Sequence, residues 1–229
     1  METLRHFFLE HLAQTSGSPL ALDIARAEGI YLYDTSGRRY ADLISGIGVS
    51  NYGHGNQQVI RAIQEQAGLY LHTMVYGEYI QKPQVLLAEK LCSMLPPSLN
   101  SVYFVNSGAE ATEGAMKLAK RATGRSKIIA MCNAYHGSTQ GALSLMSSEY
   151  YTAAYRPLLP QVDFIDFNTA AGLEKITSEV AAVFVETIQG EAGYIKADRE
   201  WLSSLRKKCD ETGTLLVLDE IQCGMGRTG

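Results

Sequence analysis

The second half of the chain alternates short β-rich runs with segments of helical periodicity. The β-rich runs are SVYFV, SKIIAMC, VDFIDF, AAVFVET and TLLVLDEI. Segments of helical character, such as GAEATEGAMKLAKRATG and DREWLSSLRKKCDETG, lie between most of them. This alternation predicts an α/β fold with a mostly parallel sheet that helices cover on both faces. Ligands of such sheets bind at the carboxyl ends of the strands, so the residues directly after each strand are the candidates for function.

The first fifty residues predict a helix followed by a β-hairpin. Residues 4–13 carry apolar side chains at helical spacing, and the runs GIYLYD and RRYADLIS flank the turn TSG. Glycine in that turn favours a positive φ, which is typical of a hairpin. Two further helices are predicted in NQQVIRAIQEQAGLY and KPQVLLAEKLCSML, because both runs show helical periodicity.

The composition is that of an ordinary globular protein without a strongly charged surface. Apolar residues make up 46% of the 229 residues, charged residues make up 19%, and the net charge is -4. This balance can fill a core and gives no electrostatic reason to expect a nucleic-acid or membrane partner. Charges interrupt the apolar part of METLRHFFLEHLAQTSG, so we do not expect a signal peptide, and no apolar run is long enough to span a bilayer.

The cysteines predict neither disulfides nor a metal site. Cys92, Cys132, Cys209 and Cys223 lack the spacing of metal ligands. Because nothing in the sequence indicates secretion, we predict reduced thiols in a cytoplasmic protein.

The first strand end, FVNSGAEATEGAMKLAK, has the features of a phosphate cradle. Ser107 and Glu110 have the spacing of a capping box at the start of a helix. Gly108 and Ala109 are small and let a ligand approach the free N–H groups of the first turn. Taken alone, the segment fits a well-capped helix without a ligand better than a phosphate site, and it matches neither a Walker motif nor a dinucleotide fingerprint.

The next two strand ends supply an aromatic ring and two carboxylates. Tyr135, His136 and Gly137 follow the second β-rich run, and an aromatic residue there could lie flat against a planar ligand ring. Glu186 and Glu191 flank the loop after AAVFVET. In isolation, the tyrosine could simply pack under a loop, and the carboxylates could face solvent or pair with arginine.

The last strand end places an acidic residue after the apolar run TLLVL. Asp219 is predicted to be buried, and a buried carboxylate needs a charged or hydrogen-bonded partner. A protonated pyridine nitrogen would meet both needs, and Gln222 could face the same ligand; a core aspartate that caps the next turn is the alternative. Together the four strand ends offer what pyridoxal phosphate (PLP) requires: a phosphate site, a stacking ring, polar groups near a substrate and an acid for the pyridinium.

At these residues the chain resembles the class III aminotransferases, which are the ω-amino-acid transaminases of the fold type I PLP enzymes. Within this family, it resembles the acetylornithine and ornithine aminotransferases most. The motifs VNSGAEATEGAMKLA, YHGST, VETIQGEAGY and LDEIQCGMGRTG occur in the family's order. The resemblance implies a truncated fold type I enzyme. Residues 1–50 would belong to its small domain, residues 51–229 would form an incomplete PLP-binding large domain, and the C-terminal half would be absent.

The resemblance also implies a role for each matched residue. Asp219 and Glu186 would be catalytic, with Asp219 on the pyridine nitrogen, while Glu191 and Ser138 would lie on the substrate side. The cofactor would be held by Ser107, Gly108, Ala109, Tyr135, His136, Asp219 and Gln222. An amino group would pass from an ω-amino acid or amine to a keto acid such as 2-oxoglutarate. Members of the family are usually homodimers, and the segment GLYLHTMVYGEYIQ resembles a region near their interface.

Three features depart from the family pattern. The Schiff-base lysine of the family lies some tens of residues beyond DEIQ, whereas Gly229 ends the sequence shortly after Gln222. No lysine of the chain has the matching context, so we expect little or no turnover from this chain alone. Ser138 replaces the arginine that commonly follows HG in the ornithine types, and Thr187 replaces a common proline. An arginine clamps a carboxylate at two points and a serine does not, so the sequence leaves other amine donors open.

Three other interpretations remain open at this point. The same fold could carry an aminomutase or racemase, which needs no second acceptor. A non-catalytic half that pairs with a partner chain would fit the missing lysine. An unrelated α/β nucleotide binder is disfavoured by the set of motifs.

Overall fold

The structure is a computed structural model that describes residues 4–74 and 77–229. The chain divides into two compact units, residues 1–79 and 80–229. The predicted domains, residues 1–50 and 51–229, concern a longer enzyme and stay a prediction. Val75 and Tyr76 of the segment GLYLHTMVYGEYIQ lie outside the described residues, so its predicted place near a dimer interface also stays a prediction. Within the described residues, no helix has the length and apolar character needed to cross a membrane.

Within its described residues, the first unit contains a small antiparallel sheet and three helical elements. Its sheet has the order β1-β2-β3, and the pairing of β2 with β3 confirms the predicted hairpin. The sequence does not predict strand β1, because four of its five residues are Ala, Arg or Glu, which are not residues enriched in strands. The elements are α1 (Leu4–His11), β1 (Ile24–Glu28), β2 (Tyr31–Asp34), β3 (Arg39–Ala41), α2 (Ser45–Gly48) and α3 (Gln57–Leu69).

The hairpin turn is built by one carboxylate and one glycine. Asp34 Oδ1 accepts hydrogen bonds from the backbone N–H groups of Ser36 and Arg38, both at 2.9 Å. Gly37 has a φ of 83°, in the region that glycine adopts without steric cost. The turn signal TSG therefore works through the backbone geometry that the sequence predicted.

The segment after the hairpin contains an unusual left-handed turn. Element α2 departs from a regular helix because φ is positive at Ser45, Gly46, Ile47 and Gly48. Asp42 holds the turn in place: its Oδ1 accepts from the backbone N–H of Ser45 at 2.8 Å, and its Oδ2 lies 2.7 Å from His54 Nε2. A β-branched residue such as Ile47 rarely adopts this conformation, so these contacts fix a strained backbone.

The second unit is built around the predicted parallel sheet. Four parallel strands have the order β5-β4-β6-β9, and β7 and β8 form a separate two-stranded ribbon. The elements are α4 (Lys82–Met94), α5 (Gly108–Thr123), β4 (Lys127–Met131), α6 (Gln140–Leu143), α7 (Glu149–Thr152), β5 (Val162–Ile165), β6 (Val180–Glu186), β7 (Ile188–Gln189), β8 (Ile195–Lys196), α8 (Arg199–Thr212) and β9 (Leu215–Asp219). Short 3-10 turns cover Ala153–Tyr155 and Ala170–Lys175.

Helices cover both faces of the sheet, as the alternation of elements predicts. Every residue of β6 is buried. One face of the sheet packs against Trp201 and Leu205 of α8, and the other packs against Met116 and Ala119 of α5. Since successive side chains of a strand point to opposite faces, the continuous apolar run of β6 serves both cores.

The prediction of a strand at SVYFV is wrong. Residues 101–105 form no strand, and no strand of the described residues pairs with them. Tyr103 and Phe104 are exposed. β-branched and aromatic residues favour a strand only where a neighbouring strand accepts their backbone hydrogen bonds.

Candidate functional site

The carboxyl ends of β4, β6 and β9 bring the predicted site residues to one edge of the sheet. Glu186 and Asp219 are register partners at the ends of adjacent parallel strands. The loop after β4 carries Tyr135 and His136 to the same edge, where His136 contacts Asp219 and Tyr135 contacts Glu186. The structure thus brings together residues that lie far apart in the sequence.

Asp219 and His136 form a buried pair at the centre of this edge. His136 Nδ1 lies 2.7 Å from Asp219 Oδ2, and the two side chains are 0% and 8% exposed. Asp219 Oδ1 accepts from the backbone N–H of Ile221 at 3.0 Å. The carboxylate therefore has the partner that its burial requires and also caps the next turn, so the two interpretations of Asp219 are compatible.

The far nitrogen of His136 is buried without a partner. Within the described residues, Nε2 of His136 has no hydrogen bond. The ring packs edge-on to Phe184 with a centroid distance of 6.0 Å, and the backbone carbonyl accepts from Thr112 Oγ1 at 2.9 Å. Asp219 and Phe184 thus hold the ring, while Thr112 holds the backbone of the same residue. Its place is next to Asp219, and its predicted contact with a cofactor stays a prediction.

Glu186 joins two of the loops through backbone hydrogen bonds. Its Oε2 accepts from the N–H of Tyr135 and its Oε1 from the N–H of Gly190, both at 3.2 Å. Burial raises the pKa of the Glu186 carboxyl, although both backbone donors and His136 act in the opposite direction. The alternative that this carboxylate faces solvent or an arginine is wrong, because it is buried among backbone donors.

The start of α5 is capped much as the sequence predicts. Ser107 Oγ accepts from the N–H of Glu110 at 3.2 Å, while Glu110 Oε2 accepts from the N–H of Asn106 at 2.6 Å. The second bond differs from the usual capping box, in which it would go to Ser107 itself. A Cβ on Gly108 would lie only 2.9 Å from Ile221 Cγ2. Glycine therefore allows the helix start to approach the turn after β9, next to Asp219.

The remaining predicted residues lie around this centre. Tyr135 is 39% exposed and meets the edge of Tyr151 at a centroid distance of 6.1 Å, so part of its ring faces solvent. Ser138 and Glu191 are exposed. A Cβ on Gly190 would overlap the Gln222 carboxamide, which places Gln222 against the loop that Glu186 holds.

Two contacts of the site were missed by the sequence analysis. Thr112 Oγ1 donates to the carbonyl of His136 at 2.9 Å, and Thr139 Oγ1 donates to Glu113 Oε1 at 2.7 Å. The available signal was spacing: Thr112 and Glu113 of α5 lie one turn after Ala109 and share its helix face. Their partners could not be read from spacing alone.

The surface around Asp219 includes a small pocket. It has a volume of about 110 Å³ and is lined by Thr112, Phe184, Asp219 and Ile221, among others. A larger depression of about 460 Å³ lies at Lys127 and Asp163, near the amino ends of β4 and β5, where parallel sheets do not usually bind ligands. Among the described residues, no cluster of histidine, cysteine and carboxylate side chains could hold a metal ion.

The chain is similar to known proteins along nearly its whole length. A family model described as Aminotransferase class-III matches residues 12–229. The chain is 42% identical to an acetylornithine aminotransferase from Archaeoglobus fulgidus over 221 residues, which cover 96% of this chain and 58% of that protein. It spans about half the length of the curated relatives it matches.

Solved structures agree with this similarity. An adenosylmethionine-8-amino-7-oxononanoate aminotransferase from Methanocaldococcus jannaschii has a TM-score of 0.91 and 32% identity, covering 98% of this chain and 56% of its own. An ornithine aminotransferase from Toxoplasma gondii, described with partial occupancy of PLP at its active site, has a TM-score of 0.83 and 27% identity. That match covers 95% of this chain and 52% of the Toxoplasma chain.

Proposed function

Since the chain belongs to the class-III aminotransferases, we propose that it forms the cofactor-binding part of a PLP-dependent transaminase. The architecture supports this proposal, because the parallel sheet flanked by helices is that of fold type I and matches solved aminotransferases. The enzyme would move an amino group from an ω-amino acid or amine to a keto acid such as 2-oxoglutarate. As in the family, we propose that the whole protein acts as a homodimer.

The observation that carries the proposal is the buried Asp219–His136 pair beside the start of α5. A carboxylate at this depth, open to a small pocket, suits a protonated ring nitrogen. The free N–H groups of the first turn of α5 suit a phosphate. These features fit PLP, which supplies the electron sink that makes the C–H next to the substrate nitrogen acidic.

Each residue of the edge then has a task. Asp219 would hold a proton on the ring nitrogen, and His136 orients Asp219 through its 2.7 Å contact. Ser107, Gly108 and Ala109 would bind the phosphate, Tyr135 would lie against the ring, and Gln222 would reach its phenolic oxygen. Glu186 fixes the backbone of Tyr135, so its contribution to catalysis would come through the position of that residue.

The proposal for residues 1–229 tested alone is cofactor binding with little turnover. The resemblance places the Schiff-base lysine beyond the DEIQ motif, and none of Lys117, Lys120, Lys127 and Lys196 has the matching sequence context. That lysine both anchors the cofactor and moves a proton. Without it, the remaining contacts can hold the cofactor but cannot complete the reaction.

The substrate side of the site favours no single amine donor. Ser138 is exposed and cannot clamp a carboxylate as an arginine does. Glu191 is exposed in the neighbouring loop, and we propose that it contacts the donor. The names of the relatives contain different substrates, acetylornithine in one and adenosylmethionine with 8-amino-7-oxononanoate in another, so the family name alone does not fix the donor.

A PLP titration tests the proposal. We expect saturable binding with an induced circular-dichroism band of the bound cofactor in the visible range, and we expect Asp219→Ala to weaken both. The exposed Asp210 of α8 provides the control Asp210→Ala, which should bind as the wild type does. Absence of saturable PLP binding, together with binding of a nucleotide, would instead support the unrelated α/β nucleotide binder. In a form of the protein that carries the Schiff-base lysine, product analysis without an added keto acid distinguishes a mutase, which needs no acceptor, from a transaminase.

A further inference from the structure

One face of α5 holds the loop that carries the candidate stacking residue. We define the aromatic loop as residues 135–139, between β4 and α6. Ala109, Thr112 and Glu113 lie on one face of α5, at the spacing that makes helical residues neighbours. A Cβ on Gly137 would lie 2.8 Å from Ala109 Cβ, and Thr112 Oγ1 donates to the carbonyl of His136 at 2.9 Å. The helix therefore contacts the middle of the loop through packing and through one buried hydrogen bond.

Glu113 holds the far end of the aromatic loop. Its Oε1 accepts from Thr139 Oγ1 at 2.7 Å and from the backbone N–H groups of Gly141 and Ala142 at 2.9 and 3.3 Å. Thr139 itself makes no side-chain cap to α6. The first turn of α6 is thus capped by a side chain from another helix, and a Cβ on Gly141 would overlap that carboxylate.

These contacts connect the two halves of the candidate cofactor site. Helix α5 begins at Gly108, where the phosphate would bind, and the aromatic loop carries Tyr135 and His136. The contact between α5 and the loop therefore sets the separation between the phosphate site and the ring site. We propose that Glu113 is a positioning residue that fixes the aromatic loop relative to the phosphate-binding end of α5, an inference that rests on the proposed function.

The chemistry of the contact requires an acceptor at the end of a side chain of this length. All three donors meet the same oxygen, Oε1. Glutamine offers a carbonyl oxygen in the same place, whereas alanine leaves two backbone donors and a hydroxyl without this partner. The geometry thus predicts that the amide can replace the acid and that truncation cannot.

The test compares Glu113→Ala and Glu113→Gln by PLP titration and by the visible circular dichroism of the bound cofactor. Since three hydrogen bonds to one charged acceptor are lost, we expect Glu113→Ala to weaken PLP binding by about tenfold or more. We also expect it to change the sign or intensity of the cofactor band, because the ring shifts. Glu113→Gln should restore both to near the wild-type values. Lys117→Ala, an exposed truncation one turn further along α5, is the matched control.

The outcomes separate the inference from the proposed function. If the wild type does not bind PLP, the proposed function fails. If the wild type binds and Glu113→Ala binds with the same affinity and the same dichroism, the positioning role is overturned. If Glu113→Gln behaves like Glu113→Ala, the positioning role is also contradicted, because the glutamine keeps an acceptor oxygen in the place of Oε1 and should restore the site. Amide hydrogen exchange at Gly141 and Ala142 without cofactor distinguishes local release of the loop from global unfolding, since only unfolding would speed exchange in β6 as well.

Discussion

The two units of the chain each contain a His–Asp pair at 2.7 Å, and the pairs differ in their surroundings. In the first unit, the His54 and Asp42 side chains are 25% and 8% exposed, and Asp42 also holds the strained turn at Ser45. In the second unit, His136 is fully buried against Asp219, and its second nitrogen has no partner among the described residues. The same contact therefore closes a turn in one place and builds a candidate cofactor site in the other.

Burial explains why the two pairs should behave differently. None of the described residues of the first unit is fully buried, whereas every residue of β6 in the second unit is. Water can replace a lost partner at a partly exposed pair, but a buried group keeps the full cost of losing its partner. Matched substitutions in the two pairs therefore test whether burial makes the difference.

The largest difference is expected from the two aspartates. Asp219→Ala removes the acid proposed for the ring nitrogen, so we expect turnover to fall by roughly 100- to 1,000-fold. Asp42→Ala should leave turnover near the wild-type value, because Asp42 contacts His54 and Ser45 of the left-handed turn and has no proposed role in cofactor binding. The measurement is the transaminase rate of both variants in a form of the protein that carries the Schiff-base lysine. Near-normal turnover of Asp219→Ala would refute the role assigned to it.

The two histidines should differ in their effect on stability. His136→Ala leaves the buried Asp219 without its partner and opens a cavity, so we expect a loss of about 3 kcal/mol in the free energy of unfolding. His54→Ala breaks a partly exposed pair and should cost about 1 kcal/mol or less. Urea unfolding of the two variants at neutral pH measures both values. Equal losses would mean that burial does not distinguish the pairs.

The sequence predicts which residues follow the buried strands, but it does not predict which of their side chains contact one another. The class III family and the fold type I architecture were predicted from four motifs and are confirmed. The strand ends were located because buried strands show as apolar runs. However, His136 and Asp219 lie 83 positions apart, and which side chain meets which depends on sheet order and loop path. The strand predicted at SVYFV failed for a related reason, since a strand needs a partner that local sequence does not specify.

The pH dependence of stability should reveal the buried carboxyl of Glu186. Burial raises its folded-state pKa above the ordinary value of 4.5, so the native state binds this proton more tightly than the unfolded state does. The stability that the protonated Glu186 side chain contributes to the native state is therefore fully present below pH 4.5, and it is lost as the pH rises through the folded-state pKa. We expect the wild type to lose this contribution across the window, and Glu186→Gln, whose side chain does not ionise, to lack that loss.

Unfolding free energies measured at several pH values test this sign. The control is Glu191→Gln, which removes an exposed carboxylate from the loop after β6. If the unfolding free energy of Glu186→Gln changes with pH as that of the wild type does, the assigned direction of the Glu186 pKa shift is wrong. The direction is also wrong if the wild type gains stability relative to Glu186→Gln as the pH rises through this window.

The smallest effects should come from two glycines that are needed for different reasons. Gly37 has a φ of 83° and open space where a Cβ would lie, whereas a Cβ on Gly108, at the start of α5, would lie 2.9 Å from Ile221 Cγ2. Gly37→Ala strains the hairpin backbone and should lower the free energy of unfolding by about 1 kcal/mol without changing PLP affinity. Gly108→Ala pushes the start of α5 away from Asp219, so its main effect should be on PLP affinity. Urea unfolding and PLP titration of both variants measure the free energy of unfolding and the PLP affinity. If both substitutions changed the same one of these two quantities, the comparison would be wrong. Backbone strain in the first unit and close approach in the second would then have the same consequence.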